Sequence, residues 1–207
     1  MLLNTYYQNG NGASGGSPGV NVPLVSEFPI SISGDDNSIF EDHPSHMQVS
    51  YATQDGFGNA QIGRLETVAA GEMVVWRAQS RLPPSNYQSA RLIFFNAAGA
   101  RWEIGDVYDG GFKTGLTHFN TAGEYDGHSY LSESFYGAEY FRIYKGISDS
   151  LLTVQKSYDG TSWTTLNLID FIPTSVAAAA KYVQTTVTPD QLVTLRLMSY
   201  LKTTAPT

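Results

Sequence analysis

Residues 140–169 read YFRIYKGISDSLLTVQKSYDGTSWTTLNLI, and this stretch predicts three consecutive antiparallel strands. In the first of them Phe141 and Ile143 alternate with their neighbours at the period of two that is typical of a half-buried strand. Asp159 and Gly160 mark the second turn, because a tight hairpin requires a positive φ, which glycine adopts without steric cost. The stretch therefore indicates an all-β fold.

Short apolar stretches separated by turn residues continue on both sides of this segment. Further strands are predicted at residues 28–33, 47–53, 61–69, 72–80, 90–96, 101–107 and 192–201. Repeated strands with turn signals roughly every 8–12 residues are typical of a β-sandwich or jelly roll. Residues 176–183 are ambiguous, because four alanines favour a helix that eight residues make only marginally stable. The range 170–189 therefore stays open between helix and strand.

The composition fits one β-rich domain. The chain has 207 residues, of which 13% are aromatic, 15% are charged and 20 residues are glycine. The absence of cysteine excludes a disulfide framework and a thiolate metal site. The net charge of -7 argues against nucleic acid and anionic membranes as partners. No apolar run approaches the roughly 20 residues that span a bilayer, and no secretory signal pattern begins the chain, so we expect a soluble protein.

An extended N-terminal arm is predicted before this domain. Residues 8–19, QNGNGASGGSPG, have a composition that buries no apolar surface and is flexible by itself. We therefore expect an arm over residues 1–22 and a sandwich domain over residues 23–207. The arm would dock either on its own domain or on a neighbouring subunit, and both alternatives stay open. Its candidate assembly residues are Leu2, Leu3, Tyr6 and Tyr7.

A short segment carries a family resemblance. Residues 157–163, SYDGTSW, resemble the S-x-D-G-x-x-W hairpin of concanavalin A-like (laminin G-like) lectin and glucanase domains. Residues 141–144, FRIY, resemble the arginine-aromatic strand that usually precedes this hairpin. The resemblance covers about thirty residues and implies a concanavalin A-like jelly-roll β-sandwich. The hairpin is one residue short of a sialidase Asp box and is not interpreted as one.

Residues 102–109, WEIGDVYD, resemble a degraded form of the E-[IL]-D-x-x-E strand of laminarinase-type glycosidases. A retaining mechanism needs two carboxyl groups about 5–5.5 Å apart. In a regular strand Glu103 and Asp106 project from opposite faces, and Gly105 interrupts the motif. The sequence also contains no G-x-S-x-G elbow, P-loop or dinucleotide fingerprint. We therefore predict that the protein is not an enzyme.

Metal sites have weak support in the sequence. His43 and His46 have an H-x-x-H spacing, but Pro44 disfavours the helix that would bring both imidazoles together. Residues 34–37 and 106–109 offer oxygen ligands for calcium, which many concanavalin A-like lectins use. Neither loop has a defined ligand pattern, and turn formation by Asp and Asn explains both. No cofactor is predicted, and calcium stays an alternative without a motif.

Sugar binding is the function that the loops favour. Aromatic faces stack on the C–H surfaces of pyranose rings, and carboxylate or amide groups satisfy the hydroxyls. The alternative is that tyrosines simply close the ends of the sandwich. The candidate glycan-binding residues are Tyr87, Tyr108, Asp109, Tyr125, Asp126 and His128.

Bacteriophage capsid-decoration and tail-fibre proteins resemble this plan of an arm and a lectin-like sandwich. The resemblance implies a structural virion protein, made in the host cytoplasm, that forms a homo-oligomer such as a trimer. Its partners would be other virion proteins and surface glycans. A carbohydrate-binding module or lectin acting alone is the alternative, and a glycoside hydrolase is a less favoured third.

Overall fold

A computed structural model describes residues 21–33, 36–52, 56–83, 88–108, 110–132, 139–184 and 191–206. Within these residues the fold contains strands, one short 3-10 turn at Val25–Glu27 and no α-helix, so the predicted all-β class is confirmed. No helix among them is long and apolar enough to cross a membrane. The arm residues Leu2, Leu3, Tyr6 and Tyr7, and the loop residues Tyr87 and Asp109, lie outside the described ranges.

The described strands, in chain order, are β1 (Ile30–Ser33), β2 (Ser38–His43), β3 (His46–Ala52), β4 (Gly56–Leu65), β5 (Glu72–Arg81), β6 (Gln88–Phe95), β7 (Arg101–Tyr108), β8 (Phe112–Phe119), β9 (Tyr125–Ser132), β10 (Glu139–Tyr144), β11 (Leu152–Ser157), β12 (Thr164–Ile169), β13 (Ser175–Gln184) and β14 (Leu192–Thr204). They form two antiparallel sheets of seven strands each. The first sheet has the order β1-β4-β13-β6-β7-β8-β9, and the second has the order β12-β11-β10-β5-β14-β3-β2.

The two sheets pack face to face around one main apolar core. Trp76 of the second sheet stacks on Phe141 of the same sheet with ring centroids 5.6 Å apart, and its ring is 5.5 Å from that of Phe94 in the first sheet. All three rings are buried. Aromatic pairs of this kind add to the free energy gained by burying their surface. The core therefore joins the sheets into a β-sandwich.

The ambiguous segment forms a strand at the centre of the first sheet. β13 pairs with β4 on one side and with β6 on the other. Ala178 and Ala180 point into the main core, while Ala177 and Ala179 lie on the opposite face, and none of the four is more than 1% exposed. Because both faces are covered, small side chains fit there, and this packing overrides the helix propensity of alanine.

The predicted three-strand unit is confirmed as β10, β11 and β12, which pair in succession at one edge of the second sheet. The carboxylate of Asp159 accepts hydrogen bonds from the backbone N–H groups of Ser162 and Thr161, at 2.7 and 2.8 Å. These hydrogen bonds hold the pKa of Asp159 well below its ordinary value. Gly160 follows with a φ of 76°, as the turn requires.

Candidate functional site

The first sheet carries charged side chains on the face that points away from the second sheet. Leu92 and Ile104 point into the main core, so the alternation of β6 and β7 places Arg91 and Glu103 on the opposite face. A separate apolar cluster lies on that face, formed by Ile93, Ala177 and Ala179 with Phe95 against them. We name this surface the cationic face and define it by Arg91, Arg101, Glu103, Thr117, Tyr130 and Lys181.

Glu103 is the centre of the cationic face. Its carboxylate is 3.4 Å from Nη1 of Arg91 and 3.0 Å from Nε of Arg101, and it also contacts Nζ of Lys181. The side chains of Glu103 and Arg91 are 3% and 4% exposed, whereas those of Lys181 and Arg101 are 14% and 23% exposed. Three cations surround one carboxylate, so the cluster keeps a positive charge that a ligand can neutralise.

The protonation of Glu103 follows from these contacts. Burial raises the pKa of its carboxyl group, but the charges of Lys181 and Arg91 and the hydrogen bonds from Lys181 and Arg101 outweigh burial and lower that pKa below its ordinary value. Burial lowers the pKa of Lys181, and the Glu103 carboxylate opposes this shift. The carboxylate is therefore ionised at neutral pH and holds the cations in place.

Arg91 also reaches across the sheet to Tyr130. Its Nη1 donates to Oγ1 of Thr117 at 2.6 Å, and its Nη2 donates to the Tyr130 hydroxyl at 3.3 Å. The hydroxyls of Thr117 and Tyr130 are 2.6 Å apart. The register places Arg91, Gly105, Gly115 and Tyr130 in one row across four strands. The two glycines leave the space that the arginine side chain crosses.

Neither glycine position has room for a side chain. A Cβ on Gly115 would lie 2.0 Å from the carbonyl oxygen of Ser129. A Cβ on Gly105 would lie 2.7 Å from the carbonyl oxygen of Ala90 and 3.2 Å from Cγ of Arg91. Gly105 also has a φ of 144°, which disfavours other residues. Close backbone contacts thus require glycine at both positions between Arg91 and Tyr130.

An aromatic rim borders the buried charges. The ring of His128 stacks on Tyr130 with centroids 4.3 Å apart, and Tyr125 hydrogen-bonds to Nδ1 of His128. Phe119 meets Tyr125 edge-on at 6.1 Å, and the guanidinium of Arg101 lies 3.9 Å from the Phe119 centroid. Because Tyr125 is 57% exposed, this rim is open to solvent beside the buried cations.

The predicted glycan-binding residues separate into three groups. Tyr125 and His128 lie together on the rim. Asp126 pairs with His118 at 3.0 Å, and His118 stacks on Trp102. Tyr108 meets Phe112 edge-on at 4.8 Å and packs against the main core, away from the cationic face. Tyr87 and Asp109 lie outside the described residues, so no contact is assigned to them.

Sequence reasoning missed Arg91 and Lys181 as site residues. The signal for Arg91 and Lys181 is a single charge inside an apolar strand, in ARLIFF and in VAAAAKYV. A buried charge is costly unless it is paired, so such a residue implies a partner on the same face. Tyr130 belongs to the loop tyrosines that favour sugar binding, but the sequence does not distinguish it from the other tyrosines.

Glu103 and Asp106 point to opposite faces of β7, as expected from their spacing. The pairing of β7 with β6 and β8 is continuous from Arg101 to Tyr108, without a bulge at Gly105. Oγ1 of Thr114 donates to Asp106 at 2.5 Å and lies 3.5 Å from the Glu139 carboxylate of the second sheet. Asp106 therefore lies between the sheets, where burial raises its pKa. The two carboxyl groups do not act on one glycosidic bond.

The described residues include no group of three or more His, Asp or Glu side chains that would hold a metal ion. His43 and His46 stack across the β2–β3 turn with centroids 4.5 Å apart. The calcium alternative stays untested, because the two loops named for it fall partly outside the described ranges.

Solved structures share this fold over most of the chain. A functionally unknown protein from Saccharomyces cerevisiae matches with a TM-score of 0.61 at 15% identity, over 89% of this chain and 100% of that chain. The alginate lyase from Klebsiella pneumoniae matches with a TM-score of 0.54 at 11% identity, over 82% and 85%. The family 7 alginate lyase A1-II' matches with a TM-score of 0.52 at 12% identity, over 84% and 85%.

The jelly-roll β-sandwich predicted from the sequence is confirmed by these matches, which at such identities show the fold alone. No protein-family model matches the sequence, and no curated protein matches it. The prediction that the chain is not an enzyme is wrong on this comparison, because the structural neighbours include carbohydrate-cleaving enzymes. The predicted sugar-binding role stays a prediction, because matches at these identities do not test it. The predicted virion role has no support among them and stays a prediction.

Proposed function

We propose that the chain is a carbohydrate-active protein whose cationic face binds an acidic polysaccharide. The observation that carries the proposal is the charge of this face. Arg91, Arg101 and Lys181 surround the single carboxylate of Glu103, on a chain whose net charge is -7. A local positive cluster on an acidic protein attracts anionic ligands and selects against neutral ones.

The geometry suits sugar carboxylates. Guanidinium groups are strong hydrogen-bond donors to carboxylates, and the contacts of Arg91 and Arg101 with Glu103 hold both groups on this face. The rim supplies stacking surfaces for sugar rings at Tyr125 and His128. The alginate lyases that share this fold act on alginate, an acidic polysaccharide, and this agrees with the ligand class that the charges favour.

Cleavage of the bound polymer by β-elimination is the activity that the position of Tyr130 favours. In that reaction a base removes the proton beside the sugar carboxylate, the glycosidic C–O bond breaks, a C=C bond forms and the leaving oxygen takes a proton. The Tyr130 hydroxyl lies within hydrogen-bond reach of Arg91 and Thr117, and its ring stacks on His128. A phenol and an imidazole beside a guanidinium offer groups for proton transfer next to a cation that neutralises the substrate.

The experiment is calorimetric titration of the full chain with a short alginate oligosaccharide, beside a neutral glucan of the same length. The ultraviolet absorbance of the unsaturated product reports cleavage of the polymer. We expect Arg91→Gln to bind the alginate oligosaccharide at least about tenfold more weakly than the wild type, because a hydrogen bond to a charged group is removed. Tyr130→Phe should retain binding and lose cleavage.

Arg81→Gln is the matched control, because it removes the same charge from the second sheet. Thermal unfolding of every variant checks that the fold is kept. Wild-type stoichiometry and affinity in Arg91→Gln would contradict the proposed binding site, and so would equal affinity for the neutral glucan. Unchanged product formation by Tyr130→Phe would contradict the proposed role of the phenol.

A further inference from the structure

The outward face of the second sheet carries another group of arginines and aromatic rings. On β10, Phe141 and Ile143 point into the main core, so Tyr140, Arg142 and Tyr144 point away from it. Arg77 of β5 pairs with Tyr140 in the sheet and lies on the same outward face. We name this surface the arginine–aromatic face and define it by Arg77, Tyr140, Arg142, Tyr144 and Trp163.

Each guanidinium of this face lies over aromatic rings. That of Arg142 is 4.1 Å from the centroid of Trp163 and 5.3 Å from that of Tyr144, and that of Arg77 is 5.2 Å from the centroid of Tyr140. Nε of Arg142 donates to the side chain of Gln155 at 2.7 Å. Stacking covers the flat surface of a guanidinium and leaves its N–H edge available to an acceptor.

The two arginines have no carboxylate partner among the described residues. The ion pairs found there involve neither Arg77 nor Arg142, and Nε of Arg77 is buried without a hydrogen-bond partner. The register pairs Arg142 with Val75 and Tyr140 with Arg77, which makes the arginines diagonal neighbours, with Cα atoms about 7–8 Å apart. Two like charges on neighbouring positions without a carboxylate partner favour an anionic ligand.

We infer that the arginine–aromatic face is a second binding site for acidic polysaccharide, on the side of the sandwich opposite to the cationic face. The choice of polysaccharide as the occupant rests on the proposed function. Carboxylates of neighbouring sugars would bind the guanidinium edges of Arg77 and Arg142, and the exposed parts of the aromatic rings would contact the sugar rings. The net charge of -7 argues against a nucleic acid as the occupant.

Two sites on opposite sides of one sandwich have a consequence for long polymers. A polysaccharide that occupies both sites, or that connects two protein molecules, binds with a higher apparent affinity than a short oligosaccharide. Titration with a short oligosaccharide therefore gives the number of sites, and titration with a long polysaccharide gives the apparent affinity of both sites together.

The experiment is calorimetric titration of the full chain and its variants with a short alginate oligosaccharide. We expect two sites per wild-type chain and one site in the double variant Arg77→Gln/Arg142→Gln. The matched control Arg81→Gln removes a charge from the same strand as Arg77 and should keep two sites. Tryptophan fluorescence gives an independent signal, because binding at this face should change the emission of Trp163, and Trp163→Phe should lose that change.

The outcomes separate this inference from the proposed function. The inference of a second site is contradicted if the wild type has one site and Arg91→Gln loses it. It is also contradicted if the double arginine variant keeps two sites. A single wild-type site that is lost only in the double arginine variant supports this face and overturns the proposed function. Tighter binding of a single-stranded oligonucleotide or polyaspartate, abolished by the same double variant, overturns polysaccharide as the occupant. No binding of the oligosaccharide to the wild-type chain overturns both proposals.

Discussion

Arg91 and Tyr130 contact each other across two intervening strands, because the positions between them in the sheet are glycines. Nη2 of Arg91 lies 3.3 Å from the Tyr130 hydroxyl, and Gly105 and Gly115 occupy the same row of the sheet. A Cβ at Gly105 would meet Arg91, and a Cβ at Gly115 would meet the backbone of Ser129 and Tyr130. Backbone packing on four strands thus determines a contact between side chains that are 39 positions apart in the sequence.

Gly115→Ala is the sharpest test of this arrangement. The added methyl group would lie 2.0 Å from the carbonyl oxygen of Ser129, so β8 and β9 must separate locally. We expect a loss of about 1–3 kcal/mol in the free energy of unfolding, measured by urea denaturation, together with weaker alginate binding. Gly111→Ala is the control, because nothing lies within 4 Å of its added methyl group. Equal stability of the two variants would contradict the packing argument.

Glu103→Gln tests the carboxylate that holds the cations together. Without its charge, Arg91, Arg101 and Lys181 repel one another in a buried site, and breaking a buried ion pair costs about 3–5 kcal/mol. In the wild type the pKa of Glu103 is lowered in the folded state. Its carboxylate therefore stabilises the fold above pH 4.5, its ordinary pKa, and this stabilisation is lost as the pH falls through the pKa of the folded state.

Urea unfolding of the wild type and Glu103→Gln at neutral and acidic pH measures this contribution. We expect a large difference in the free energy of unfolding at neutral pH and a smaller one once the pH is well below 4.5. A difference that stays constant with pH would show that the ionisation of Glu103 is not its cause.

Asp106→Asn should have the opposite effect on stability. Burial raises the pKa of Asp106, so the folded state binds its proton more tightly than the unfolded state does. The free energy of unfolding therefore falls as the pH rises from the ordinary value of 3.8 through the folded value. The neutral amide keeps an acceptor for Thr114, so we expect a higher melting temperature at neutral pH and a weaker pH dependence. A lower melting temperature at neutral pH would contradict this assignment.

Local sequence was sufficient for the three strands β10, β11 and β12 of the second sheet. Asp159 and Gly160 form the expected turn because the residues that make its hydrogen bonds are adjacent in the chain. The preceding strand β10 alternates between buried and half-buried positions, since one of its faces packs on the core. Where each contact is local, the sequence pattern and the structure agree.

The cationic face could not be predicted in this way, because β13 comes to lie between β4 and β6. Lys181 and Glu103 are 78 positions apart and meet only through that arrangement. β13 shows no alternation of apolar and polar residues, since alanines line both of its faces. The spacing to Asp106 singles out Glu103 in the sequence, but the partners of Glu103 are long-range, and only a buried charge in an apolar strand indicates them.

Asp159→Asn tests the turn that fixes this hairpin. The hydrogen bonds from the backbone of Ser162 and Thr161 favour the ionised carboxylate and lower its pKa, so the stabilisation is present above the ordinary value of 3.8 and is lost as the pH falls below it. We expect a lower melting temperature for Asp159→Asn at neutral pH and convergence with the wild type in acid. Asp170→Asn, at an exposed position after β12, is the control and should match the wild type throughout. Equal melting temperatures of the two variants at neutral pH would mean that the Asp159 carboxylate does not stabilise the hairpin. Hydrogen bonds between backbone groups alone would then account for the turn.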